Sequence, residues 1–136
     1  MVINTPESQI GTERTCQDKL LSEILDSIKI EVPEVLAVLL VSSEGLPIAS
    51  TRLGMSQDET ILSAMTAALI SVGEQVGLEL DKGNPRVLIV KCPKGLIVLQ
   101  RINKDVLITV VTQKEIRLGL LLLSLRKAKD KLDQVL

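Results

Sequence analysis

The sequence lacks four residue types altogether, since its 136 residues include no histidine, phenylalanine, tyrosine or tryptophan. Without histidine there is no imidazole base, no nucleophile activated by histidine and no histidine ligand for a metal. Without aromatic side chains there is no platform for stacking nucleobases and no Trp or Tyr anchor for an interface. The composition therefore predicts a protein that is not an enzyme and uses no metal or cofactor.

The sequence also lacks an excess of either charge, because 16 Lys and Arg residues are balanced by 17 Asp and Glu residues. The formal net charge is -1. A nucleic-acid-binding surface needs clustered basic residues, so we predict no nucleic-acid partner. The first residues form no signal peptide, and the longest apolar runs fall short of the roughly 18 to 20 residues of a membrane span. The cysteines, Cys16 and Cys92, lie far apart and predict reduced thiols. We expect a soluble cytoplasmic protein with no membrane insertion.

The pattern of apolar residues predicts one domain, over residues 15–136, and a mobile tail over residues 1–14. A chain of this length is long enough for one hydrophobic core and too short for two independent domains. Its β-rich runs are separated by turns that contain Gly, Pro or Asn. They predict strands at residues 35–42, 46–51, 86–92, 95–102 and 106–112.

Three segments with helical spacing accompany these strands. The first helix starts near Thr15 and ends before Pro33, because proline stops the pattern. A capping box at residues 56–59 opens a long middle helix that runs to about residue 80. A second capping box, at residues 112–115, opens a last helix that runs to the C-terminus. The predicted element order is α-β-β-α-β-β-β-α.

Glycines at three positions have structural explanations. Gly45 and Gly95 stand in predicted tight turns, where a residue without a Cβ is favoured. Gly119 lies inside the predicted last helix, where glycine costs about 1 kcal/mol relative to alanine. We therefore expect Gly119 to allow close packing on the sheet or on the first helix.

The predicted strands are apolar on both alternating sets of residues, so both faces of the sheet must be covered by helices. Five strands make a sheet roughly 20 Å wide, whereas one helix is about 10 Å across, so three helices leave half of one face bare. A second copy related by a two-fold axis would cover that half. The pattern therefore favours a homodimer.

The middle helix is the candidate contact, because no charged residue occurs from Thr60 to Gly73. Large residues form one stripe, and small residues form a smooth surface that another backbone could approach. The stripe comprises Ile61, Leu62, Met65, Leu69, Val72 and Val76, and the smooth surface Ser63, Ala64, Ala67, Ala68 and Ser71. The predicted dimer contacts on this helix are Ala64, Met65, Ala67, Ala68 and Ser71. In the alternative, the helix is enclosed within the monomer by the tail or a loop.

The element order, the turn at residues 43–48 (SEGLPI), the small-residue middle helix and residues 115–120 (EIRLGL) resemble the roadblock / dynein light chain family. The likeness covers residues 19–136. It implies a five-stranded antiparallel sheet of α+β class, with the middle helix on one face and the terminal helices on the other, as in profilin-like domains. It also implies a dimer joined through the middle helices and third strands, which adds Val87 and Ile89 to the predicted interface.

The resemblance implies a function as well, since such proteins are similar to regulators and scaffolds of Ras-like small GTPases, including prokaryotic partners that accelerate GTP hydrolysis. The obvious candidates for an arginine inserted into a GTPase site are Arg52, Arg86 and Arg101. The alternative is that these are surface arginines, and the resemblance favours it, because the activating members look like they reshape the GTPase's own loops.

Two other functions stay open. The chain could be a small-molecule sensor of profilin-like or GAF type, with a pocket between sheet and helices, although aliphatic walls would lack the polar groups that orient ligands. It could also be an inert scaffold subunit of a larger complex. The sequence has no phosphate-binding loop of the GxxxxGK type and so predicts no nucleotide hydrolysis of its own.

Overall fold

A computed structural model of the chain describes residues 6–52 and 57–136, with side chains over residues 16–51 and 57–136. Helix α1, Pro6–Glu31, begins well before the expected start at Thr15. The tail predicted over residues 1–14 therefore overlaps a helix from Pro6 onward, and its first five residues lie outside the described ranges. Proline is favourable in the first turn because that N–H needs no partner, whereas the apolar periodicity used for the prediction starts only later.

Five strands form a single antiparallel sheet in the order β2-β1-β5-β4-β3. Their bounds are β1 Val35–Ser42, β2 Pro47–Arg52, β3 Leu88–Cys92, β4 Gly95–Arg101 and β5 Val106–Thr112. Strands β2 and β3 are the edges of this sheet. The predicted five-stranded antiparallel sheet and element order are confirmed, with β3 shorter than predicted at its start.

Helix α2, Glu59–Glu79, follows an N-cap at Asp58, whose carboxylate accepts a hydrogen bond from the Thr60 amide at 2.8 Å. The capping box predicted to begin at Ser56 is therefore wrong in its cap residue, and Ser56 itself lies outside the described residues. Aspartate next to the first helical turn satisfies a free N–H and favours the positive end of the helix dipole.

The second predicted capping box is also wrong, because Thr112 belongs to β5. Its hydroxyl accepts from the Leu96 amide at 3.1 Å, which links β5 to β4 instead of capping a helix. Helix α3, Leu118–Val135, begins later. Its N-cap residue is Arg117, whose side chain forms no capping hydrogen bond. The Arg117 guanidinium donates to Glu34 at 2.8 Å, and this hydrogen bond holds the pKa of the Glu34 carboxyl below its ordinary value.

Helices α1 and α3 pack together on one face of the sheet, and α2 packs on the other. The alternation along β1 divides its side chains between the two cores: Val38 and Leu40 face the paired helices, whereas Leu39 and Val41 face α2. The prediction that both faces carry apolar side chains is therefore confirmed. The larger core lies under α1 and α3 and contains the fully buried Leu25, Ile28, Leu121, Leu125 and Leu132.

The glycines of two turns, Gly45 and Gly95, have backbone atoms of other residues where a side chain would stand. Gly45 has a φ of +92°, and a Cβ on it would lie 3.2 Å from the Cα of Ala64. A Cβ on Gly95 would lie 2.1 Å from the Thr112 carbonyl oxygen. Gly119 differs, since no atom beyond its chain neighbours and the adjacent backbone of its own helix lies within 4 Å of the place where its Cβ would be. The close packing predicted for Gly119 is therefore wrong, because α3 begins only at Leu118 and this first turn is open.

Candidate interaction surface

The side of α2 that meets the sheet carries small and polar residues. Its buried members are Ser63, Thr66, Ala67 and Ile70. Thr66 Oγ1 donates its one hydrogen to the Leu62 carbonyl at 2.9 Å. In its 2.7 Å hydrogen bond with Thr109 Oγ1 on β5, Thr109 is therefore the donor. A pair of buried hydroxyls thus ties the helix to the centre of the sheet.

Small residues let α2 approach the sheet closely along its length. A Cβ on Gly73 would lie 3.1 Å from Leu88 Cδ1, and one on Gly77 would lie 2.1 Å from the Gly83 carbonyl oxygen. Neither position has room for a larger side chain without movement of a neighbour. At Gly73 the close neighbour is strand β3 of the sheet, and at Gly77 it is the loop that follows α2.

Five large apolar residues of α2 point away from the sheet, whereas Ile70 packs against it. Their exposed fractions are 58% for Ile61, 57% for Met65, 43% for Leu69, 61% for Val72 and 50% for Val76. Spacings of three and four residues place these side chains on one face of the helix. We call this set the outer face of α2. Among the described residues, α2 is also the one helix with the length and mean hydropathy of a membrane span, 1.4 over 18 residues.

The predicted interface residues of the middle helix divide between the two sides of α2. Ala64, Met65, Ala68 and Ser71 are exposed, whereas Ala67 is buried against the sheet. In the single chain the Ala67 side chain fills the space between α2 and the sheet, and the dimer contact itself stays a prediction. Ile61, Leu69, Val72 and Val76 belong to the predicted stripe of large residues but were not among the predicted dimer contacts, and all four are exposed.

Strand β3 adds a sheet edge beside this helix, since it pairs with β4 alone. Leu88 and Val90 pack toward α2, so the alternation places Val87 and Ile89 on the opposite face of the sheet. Val87 is half-buried there, and Ile89 is 42% exposed. The contact between Leu88 and α2 at Gly73 makes the outer face of α2 and the β3 edge neighbours on the surface.

The three candidate arginines have different environments. Arg101 Nε and Nη2 donate to the two carboxylate oxygens of Glu74 on α2, at 2.7 and 3.0 Å, which joins the end of β4 to the helix. Arg101 Nη1 also donates to the Lys104 carbonyl at 3.1 Å, so this side chain is held in place. Arg86 is exposed, and the side chain of Arg52 lies outside the described residues.

Neither a ligand pocket beneath α2 nor a metal centre is formed by the described side chains. The cavity lined by Ile70, Pro85 and Leu88 measures about 10 Å³, little more than the space of one water molecule. Over residues 16–51 and 57–136, no three Cys, Asp or Glu side chains lie close enough to hold a metal ion together. The space that the described residues leave between α2 and the sheet therefore has no room for a small-molecule ligand.

Comparisons with known proteins agree with this architecture. No curated protein matches the chain, but solved structures do. MglB of Myxococcus xanthus is 20% identical, with a TM-score of 0.78 over 85% of this chain and 93% of that one. A Roadblock/LC7 domain from Streptomyces avermitilis is 20% identical, with a TM-score of 0.73 over 86% of this chain and 94% of that one. An MglB in a tetrameric arrangement is 14% identical, with a TM-score of 0.80 over 88% and 89%.

The Roadblock/LC7 domain also matches the sequence itself, over residues 21–112. This match runs from α1 to the end of β5 and spans more than half of the chain. It confirms the resemblance inferred from the turn, the middle helix and the order of elements. The chain therefore belongs to the Roadblock/LC7 domain family.

Proposed function

We propose that two copies of this chain associate through the outer face of α2 and the edge of β3, and that the dimer is a cytoplasmic, non-enzymatic adaptor that binds and regulates a Ras-like small GTPase. The observation that carries the proposal is the uncharged, exposed aliphatic face of α2 beside β3, whose outer edge has no neighbouring strand in the described sheet. Membership of the roadblock family supports the GTPase, and a structural neighbour in a tetrameric arrangement supports self-association.

Energetics explain why both elements are needed. Full burial of a large aliphatic side chain contributes about 1.5 to 3 kcal/mol, so burying the exposed half of each outer-face side chain contributes roughly 1 kcal/mol. Five such residues on each of two copies contribute roughly 10 kcal/mol. Association costs about 4 to 15 kcal/mol, so the helix alone gives a weak dimer. Pairing of the β3 edges adds backbone hydrogen bonds and stabilises it.

Two-fold symmetry fits both elements. In a two-fold dimer the same patch meets itself, so α2 packs on α2 and β3 pairs with β3. Two copies of one strand related in this way run antiparallel, as do all pairs in this sheet. The exposed Ala64, Ala68 and Ser71 border the aliphatic side chains and leave room for the partner helix.

The regulatory part of the proposal depends on shape more than on catalytic groups. Arg101 is bound to Glu74, so it is not free to enter a GTPase site. Arg86 is exposed and is the one described candidate that stays available, but we infer that the dimer acts by reshaping loops of the GTPase. Replacement of Arg86 by alanine should then leave any stimulated hydrolysis within about twofold of the wild type, whereas loss of an arginine finger costs roughly 1000-fold or more.

The dimer is tested by a charge placed on the outer face. Val72→Glu introduces a carboxylate at a position that is 61% exposed in the single chain, so it should leave folding intact and break the dimer. Ile30→Glu is the matched control, because Ile30 is 78% exposed on α1, away from this surface. We expect light scattering to give a mass near 14.8 kDa for Val72→Glu and twice that for the wild type and Ile30→Glu. A Val72→Glu dimer would contradict the placement.

The GTPase is tested with the same instrument, using refractive-index detection because the chain has no Tyr or Trp. The wild type is mixed with Ras-like GTPases of the host, each loaded with GDP or with a non-hydrolysable GTP analogue. A dimer that gains mass with one nucleotide form supports a GTPase regulator. A stable dimer that binds neither form with any of them supports the alternative, a scaffold subunit of a larger complex.

A further inference from the structure

A groove opens on the face of the sheet opposite α2, between α3 and the ends of β3 and β4. Its volume is about 840 Å³. Apolar residues from both sides line it, namely the half-buried Val87 and Leu122 and the buried Ile102. The groove lies on the face of the sheet opposite the outer face of α2, and of its lining residues Val87 is also a predicted contact of the β3 edge.

Cationic side chains surround this apolar lining. Arg126 and Lys129 reach it from α3, where they follow Leu122 at spacings of four and seven residues and therefore share its face of the helix. Arg86 and Lys104 reach it from the sheet side. Among described residues none of these four cations has an ion pair within 4.0 Å, in contrast to Arg101, which is bound to Glu74.

The excess of positive charge in the groove is local. The whole chain carries a net charge of -1, yet Asp130 is the one carboxylate among the described residues that line the groove. Like charges gathered along a concave, partly apolar wall raise the potential inside it and attract anions. An occupant with carboxylates at its edges and an aliphatic side chain at its centre would match both the cations and the lining.

We propose that this groove binds an acidic amphipathic segment of a partner protein. The carboxylates of the segment contact Arg126 and Lys129 on one wall and Arg86 and Lys104 on the other, and an aliphatic side chain lies against the half-buried Val87 and Leu122. A nucleotide fits less well, since the chain has no aromatic side chain on which a base could stack. A membrane surface fits less well because the cations line a concave groove rather than a flat face.

The test uses the full-length protein and a fluorescein-labelled twelve-residue peptide in which pairs of glutamates flank leucines. Arg126→Glu with Lys129→Glu reverses two groove charges. Lys127→Glu with Lys131→Glu is the matched control, because these exposed lysines lie on the same helix and do not line the groove. Both variants change the net charge equally. Circular dichroism and light scattering verify the fold and the oligomeric state, and the neutral Arg126→Gln with Lys129→Gln replaces the groove variant if the reversal unfolds the chain.

We expect fluorescence anisotropy to show that the wild type binds the peptide at an ionic strength of about 0.05 M, where charges separated by about 10 Å still interact. The groove variant should bind at least about tenfold more weakly, and the control variant should stay within about twofold of the wild type. Equal weakening by both variants, or equal binding of a peptide with glutamine in place of glutamate, would overturn the proposal. Groove-dependent binding of phosphatidylserine vesicles without peptide binding would overturn it in favour of a membrane surface.

Discussion

One substitution where α2 meets the sheet should raise the free energy of unfolding, whereas most core substitutions lower it. Ser63 is 0% exposed, and its Oγ has no hydrogen-bond partner among the described residues. A hydroxyl that loses water on folding and gains no protein partner destabilises the folded state. Ser63→Ala should therefore stabilise the protein.

The magnitude follows from two contributions. Removal of a buried, unsatisfied polar group recovers about 1 to 3 kcal/mol, of which the lower end applies because the lost oxygen also leaves a small void. Alanine is a better helix former than serine by roughly 0.5 kcal/mol. We expect the free energy of unfolding to rise by about 1 kcal/mol, which corresponds to an increase in Tm of roughly 2 to 5 °C for a chain of this size.

The assay is urea unfolding followed by far-ultraviolet circular dichroism, because the chain has no tryptophan for fluorescence. All variants are compared at one protein concentration, since the proposed dimerisation would make apparent stability depend on concentration. Thr66→Val is the control of opposite sign: it removes the partner of the Thr109 hydroxyl and should cost about 1 kcal/mol. A Ser63→Ala variant that is less stable than the wild type would refute the reasoning, because it would show that the hydroxyl has a stabilising partner.

Further predictions concern two glycines and an ion pair. Gly119→Ala should raise the free energy of unfolding by about 0.5 kcal/mol, since the added Cβ meets no atom beyond the adjacent backbone of its own helix and the helix is favoured, whereas Gly95→Ala should lower it by about 1 to 3 kcal/mol, because its Cβ would lie 2.1 Å from a carbonyl oxygen. Urea unfolding measures both, and equal effects would contradict the packing described. Because the hydrogen bond from Arg117 lowers the pKa of Glu34 from its ordinary 4.5, the ion pair stabilises the fold above that pH and its contribution disappears as the pH falls through the lowered value. The stability difference between wild type and Glu34→Gln should therefore be present near pH 7 and vanish in acid; a difference that is the same at both would refute the assignment.

The order of elements could be predicted because each strand repeats an apolar pattern with a period that local sequence reveals. Strands β1 and β5 begin and end where the sequence predicted, since both are interior strands covered on two faces. The helix starts were predicted less well. Both predicted capping boxes have the right residue types, yet Asp58 caps α2 and Thr112 forms its hydrogen bond within the sheet. The sequence could not decide this, because the same hydroxyl or carboxylate can bond to a helix end or to a neighbouring strand.

The ion pairs and the groove could not be predicted from the chain. Arg101 and Glu74 come from different elements, and which of the arginines would be held in place depends on how α2 crosses the end of β4. The groove likewise lies between α3 and the ends of β3 and β4. Its cations are therefore scattered in the sequence and come together only when α3 packs on the sheet.

The sequence by itself determined that the sheet would be apolar on both faces, that three helices would cover it, and that α2 would carry no charge along most of its length. Only the tertiary structure decided which side of α2 faces outward. A helix that is apolar or small all round has no strong periodic signal for its buried side. The sheet settles the choice, because α2 approaches it closely at Gly73 and is tied to it by the hydroxyl pair of Thr66 and Thr109. Five large apolar residues are left exposed on the opposite side of the helix.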